Sequence, residues 1–192
     1  MISKVRPMTA EVRTAGWLYF LLAARLLLAG MLLSYGVAKL AGLQFGVSDA
    51  TMQMALKDID LFRLSWYLAD HEPFRSFVGV SQIVTAVLLL YPRTVLIGAF
   101  VSIPIWLNIL IWDLTFMGDG ADVFTVRLSV YLALTGLIIG QERPNVVPAL
   151  RRMLLTRSLG NYPVWAYLLL PVIAVLIELM GGLLNWGIQS VF

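Results

Sequence analysis

Cysteine is absent from this chain of 192 residues, which excludes disulfides, thiol relays, haem attachment through a C-x-x-C-H motif and cysteine-held metal. Histidine occurs once, as His71, and no cluster of histidines and carboxylates accompanies it, so the sequence offers no metal site and no haem ligand set. Charge is scarce as well, at 13% of residues. The net charge of +3 gathers in two basic stretches and leaves no nucleic-acid footprint. Internal repeats, low-complexity tracts and a soluble domain are all missing, which argues against a transporter of the inverted-repeat type.

Apolar residues fill the space left by these absences. They make up 60% of the chain, with a mean hydropathy of +0.85, the composition of an integral membrane protein. The apolar runs are continuous rather than alternating, so the expected class is all-α, a transmembrane helical bundle rather than a barrel. Five spans are expected, at about residues 17–42, 73–91, 94–116, 123–140 and 163–186, in a single membrane domain.

Orientation follows from the basic residues. Lys4, Arg6 and Arg13 precede the first span, and Arg143, Arg151, Arg152 and Arg157 fall in the segment 141–162. Both stretches belong on the cytoplasmic side, which puts the N-terminus inside and the C-terminus outside, periplasmic or extracellular. After Pro148, ALRRMLLTRSL can form a basic amphipathic helix on that surface. The first span reads as an anchor, because Arg25 interrupts its apolar run and no A-x-A cleavage site follows. Residues 43–73 carry five acids and belong outside. Within them Met52, Ala55, Leu56, Ile59, Phe62 and Trp66 keep helical spacing, so an amphipathic helix over about 48–68, capped by Ser48 or Asp49, lies on the outer surface or covers the mouth of the bundle. Pro73 opens the second span, Tyr91-Pro92-Arg93 makes a tight inner turn, and Pro104 should kink the third span. MGDGAD (residues 117–122) forms an outer turn, and Trp165, Tyr167 and Trp186 an interfacial belt.

The first span organises the rest. Gly30, Ser34, Ala38 and Gly42 recur every four residues and predict a face on which another helix packs closely. Counting about 1.5 Å per residue, Arg25 lies about 12 Å from the inner face, Asn108 and Glu178 about 21 Å from it, and Gln82 about 18 Å from the outer face. These four then share a central band in which Arg25 and Glu178 can pair. The band reads either as a packing lock or as a ligand pocket. A second polar group, Tyr35, Lys39, Gln44, Asp113 and Arg127, lies toward the outer end, where Lys39 and Asp113 can pair and interfacial snorkelling is the simpler reading. His71 reads as part of a solvated helix start, and the Met and Trp residues as membrane core or belt.

Two segments, SYGVAKLAGLQF (Ser34 to Phe45) and FVGVSQIVTAVLLLYPRTVLIGA (Phe77 to Ala99), resemble the DoxX-like family of small bacterial membrane proteins. With Arg25 upstream and Asn108 downstream, the likeness covers roughly residues 20–141. The resemblance implies a four-helix membrane bundle, with the fifth span added beyond it, in the bacterial inner (cytoplasmic) membrane. It implies association with membrane redox systems such as thiosulfate:quinone oxidoreductase, and it points to Arg25, Tyr35, Lys39, Gln82, Arg93 and Asn108. Related sequences commonly carry an acid where this chain has Gln82, and an amide cannot titrate. Glu178 on the fifth span would then restore an intramembrane acid. The expected ligand-binding set is Arg25, Tyr35, Lys39, Gln82, Asn108 and Glu178, with quinone or a similar amphipathic lipid as ligand, no covalent cofactor and no metal. The expected partners are the bilayer and other membrane subunits, with no redox centre in the chain itself. The competing reading is a non-enzymatic assembly factor or structural subunit of a larger membrane complex.

Overall fold

The computed structural model describes residues 8–118, 121–155 and 163–189, and side chains over 14–118, 121–155 and 163–180. Lys4, Arg6, Arg13, Arg157 and Trp186, invoked above for orientation and the belt, lie outside the described side chains, as does the middle of the 117–122 turn. The chain divides into two units, one ending at Pro148 and the other beginning at Ala149.

The described residues form helices and connecting turns without a strand. α1 is Met8–Leu40, α2 Asp49–Met52, α3 Leu61–Ala69, α4 Phe74–Leu90, α5 Val95–Phe116, α6 Ala121–Gln141, α7 Arg143–Leu155 and α8 Val164–Gln189, with a 3-10 turn at Leu56–Asp58. Three of them are long and apolar enough to cross a membrane, in Thr14–Leu40, Val95–Phe116 and Ala121–Gln141, and a fourth candidate is the pair α3 and α4, bent by 83°. In α8 the apolar stretch with described side chains is Val164–Met180.

In the first unit α1 packs on α4 and α6, and α5 packs on α4 and α6, so the four helices close into a ring. Its core is Leu21, Leu28, Ala29 and Leu32 of α1, Ala86 and Leu89 of α4, Ala99 and Trp106 of α5, and Leu128, Tyr131 and Ile138 of α6. Trp17 ties the first and last of the four together, its indole N–H donating to Gln141 Oε1 at 2.9 Å.

The small-residue face expected from Gly30 to Gly42 is not where α1 and α4 meet. A Cβ added at Gly30 would meet nothing within 4 Å, whereas one at Gly36 would lie 2.7 Å from the Gly79 carbonyl oxygen and 2.7 Å from Ile83. Reciprocally, a Cβ at Gly79 would lie 2.9 Å from Leu40 and 3.1 Å from the Gly36 carbonyl. Gly36 and Gly79 are thus the crossing point, and the four-residue repeat points elsewhere. Gly42 ends α1 instead of packing it. Its φ is +68°, with the Leu43 N–H donating to Ala38 O at 2.8 Å and the Gly42 N–H to Lys39 O at 3.1 Å. That is the six-to-one, five-to-two pattern by which a left-handed residue closes a helix.

The outer segment also departs from expectation. Ser48 does cap a helix, accepting from the Thr51 N–H at 3.3 Å, but that helix ends at Met52. Asp60 is extended and accepts from the Arg63 N–H at 2.8 Å, which starts α3 afresh. The apolar period therefore runs across a break. Asp60 sets where the second helix begins, because its side chain accepts from the Arg63 N–H, a first-turn donor without an intrahelical partner. α5, in contrast, runs unbroken from Val95 to Phe116 through Pro104.

Candidate ligand-binding site

Arg25 enters the bundle to serve α4. Its Nε and Nη2 donate to Leu89 O at 3.2 and 3.1 Å, and Nη2 also reaches Leu90 O at 3.3 Å. The last carbonyls of a helix lack intrahelical donors, and in a membrane water does not replace them. Here each one is met: Val87 O by the Tyr91 N–H at 3.0 Å, Leu88 O by Thr94 Oγ1 at 2.8 Å, and the next two by the guanidinium. The positive charge also sits at the negative end of the helix dipole. Arg25 thereby leaves the band it was expected to share with Gln82 and Asn108.

At the opposite end of the bundle, where α1 ends and α4 begins, lies a cavity of about 300 Å³. Its polar lining is Tyr35 and Lys39 of α1, Gln44 of the following turn, and Asn108 and Asp113 of α5. Phe62 and Trp66 of α3 cover it, and Phe45, Phe74, Trp112 and Phe124 complete an aromatic wall. α3 is held over this end because the Gly46 N–H donates to Trp66 O at 3.2 Å and Phe45 meets Trp66 edge to face at 6.2 Å. Arg75 fixes the bend between α3 and α4, binding Asp70 and Glu72 at 2.9 Å each.

Lys39 is the chemical centre of the cavity. It is only 4% exposed. Its Nζ donates to Gln44 Oε1 at 2.7 Å and lies 5.0 Å from the Phe45 ring centre and 5.6 Å from that of Tyr35. One strong acceptor and two π faces compensate part of the cost of burying an ammonium, and two of its three N–H donors remain for another oxygen. The Lys39–Asp113 pairing that the sequence allowed is not among the ion pairs of the described residues. Arg127 is in none of the ion pairs among the described residues.

Of the six expected ligand-binding residues, the fold brings Tyr35, Lys39 and Asn108 to this cavity. Gln82 is fully buried on α4, with neither amide atom hydrogen-bonded. Glu178 belongs to α8 of the second unit and Arg25 to the far end of α4. The aromatic wall escapes a reading of the sequence because Phe and Trp in a membrane chain read as belt or core. Its one signal there is the shared helical face of Phe62 and Trp66 beside a run of outer acids. Among the described residues no three His, Cys, Asp or Glu side chains gather to hold a metal.

The chain matches no protein-family model and no solved structure. It is 32% identical over 111 residues to a protein of Bacillus subtilis (strain 168) described as "Uncharacterized protein YwoB", a match covering 57% of this chain and 71% of that protein. The chain therefore belongs to the same protein family as YwoB.

Proposed function

We propose that this is a DoxX-like protein of the bacterial inner membrane whose cavity binds the head group of a quinone or a similar amphipathic lipid, as an accessory component of a membrane redox system. The observation that carries this reading is the pairing of a buried ammonium with an aromatic wall in one cavity of about 300 Å³. Lys39 offers free donors to a carbonyl oxygen, Tyr35, Gln44 and Asn108 add polar contacts, and the rings of Trp66, Trp112 and Phe124 suit a flat head. In this reading α8 is a fifth span and α3 lies on the outer side. On the same reading electrons come from a partner subunit or a bound cofactor.

The test is purification followed by absorbance and mass spectrometry for co-extracted quinone, then titration with a short-tailed benzoquinone. Lys39→Met should weaken binding at least about tenfold, the cost of one charge-assisted hydrogen bond. Unchanged affinity in that variant would remove the cavity from the reading. The structural-subunit alternative draws on one observation, the open space at Gly30 on the flank of α1. Stoichiometric co-purifying membrane subunits, lost on Gly30→Leu, would favour it.

A further inference from the structure

Among the described residues of the first unit, buried polar atoms without a hydrogen bond belong to Gln82, Trp106 and the half-buried Thr125, and two of these side chains are fully buried. They are Gln82, with both its amide oxygen and its nitrogen, and Trp106, with its indole N–H, each at 0% exposure. Buried polar groups in a low-dielectric interior are paired as a rule, because each one left alone keeps its full desolvation penalty. Leaving two would be unusual anywhere and more so in a bundle with no water outside it.

Their positions relate them to the cavity. Gln82 is one helical turn beyond Val78, and Trp106 is three residues from Ile109. Val78 and Ile109 both line the cavity, and these spacings keep each pair on one helix face. Trp106 packs edge to face on Tyr35, another lining residue, at 6.5 Å, and meets the Tyr131 ring at a tilt at 5.0 Å. Counting from the cavity end of each helix, Gln82 lies about 12 Å and Trp106 about 15 Å into the bundle. The close approach of Gly98 to the backbone of Leu88 and Leu89 sets the antiparallel register of α4 and α5 and places the two residues at about one level.

We infer that Gln82 and Trp106 form an inner polar site that holds a hydrogen-bonding oxygen below the cavity. The chemistry is specific: the Gln82 amide N–H and the Trp106 indole N–H donate to the oxygen, and Gln82 Oε1 accepts a hydrogen bond from it where it carries a hydrogen. Such an oxygen has two sources, an internal water or the head group of a ligand that reaches through the floor. Only the second rests on the function proposed above. A water there would satisfy three protein atoms, the usual number for a buried water.

The experiment is a double-variant cycle on the purified full-length protein in detergent, following thermal unfolding of wild type, Gln82→Met, Trp106→Phe and the double variant. Each single change should lower the melting temperature by about 2–4 °C, and the double variant should lose less than the sum, because both donors serve one oxygen. A rise in melting temperature in either single variant overturns the inference, since an isolated buried polar group is improved by an apolar replacement. Strictly additive losses overturn it too. Either single variant carries the sign if the other does not fold. The cycle is repeated on lipid-stripped protein with and without a short-tailed benzoquinone. Coupling in the stripped protein identifies water, and coupling only with the benzoquinone identifies a head group. Coupling in stripped protein that binds no benzoquinone would leave the inner site standing while the quinone reading falls.

Discussion

Arg25 closes the C-terminal end of α4, so its removal leaves the Leu89 and Leu90 carbonyls without donors. Arg25→Gln should lower stability by about 1.5–3 kcal/mol, the range for hydrogen bonds to a charged group. Arg25→Lys should lose less, since an ammonium keeps the charge near the helix end but not the forked geometry. Thermal unfolding in detergent measures both, and ligand affinity should stay at the wild-type value in each. Lys39 behaves in the opposite way: Lys39→Met should cost ligand binding and leave stability within about 1 kcal/mol, because a buried charge and its desolvation penalty go together. Which of the two cations on the apolar α1 lines the cavity was not legible in the sequence. Hydropathy marks both as anomalies, and only the position of the α4 terminus, set by Tyr91, Pro92 and Thr94, turns one of them into a cap. Lys39, Tyr35 and Asn108 were legible as polar residues on apolar helices, whereas the aromatic wall was hidden by the abundance of aromatic residues that any membrane protein carries.

At the scale of elements, the crossing of α1 and α4 depends on two glycines. Gly36→Val should destabilise by about 1–3 kcal/mol, since a Cβ there meets backbone and has nowhere to go. Gly30→Ala should be neutral or slightly stabilising, since its surroundings are open and alanine favours the helix. Comparing the unfolding of the two variants separates the observed interface from the four-residue repeat. The helices themselves were readable from continuous apolar runs. The breaks in the outer segment were not, because Asp60 reads equally well as a solvated residue on a longer helix and as the start of a new one. The bend between α3 and α4 has a pH dependence. Glu72 accepts from Ser76 and from Arg75, and these bonds, the Ser76 ones first, hold its carboxyl below the ordinary value of 4.5. A depressed carboxyl stabilises the folded bend above its unfolded pKa, and that contribution is lost as pH falls through the folded one. Protease accessibility of the 70–74 segment should therefore rise on acidification below the ordinary carboxyl value of 4.5, and Glu72→Gln should abolish the change.

For the whole molecule, the absence of cysteine makes topology directly measurable. Ser48→Cys in intact cells should react with a membrane-impermeant maleimide, and Asn145→Cys only after permeabilisation, if the cavity end faces outward. The opposite pattern would invert the orientation read from the basic residues. The bundle also has sides of unequal height. The apolar part of α1 is 27 residues, about 40 Å, whereas α4 is 17 residues, about 25 Å, against a hydrocarbon layer of about 30 Å. A bilayer meeting both flanks must thicken or let α1 tilt on one side, and thin on the other, at a cost of fractions of a kcal/mol per Å. The thinned side is that of α4, whose lower end is where the guanidinium sits. A bilayer thinned beside α4 would bring its headgroups closer to Arg25, so the shortness of the helix that the guanidinium closes would also shorten the distance from that charge to a polar phase.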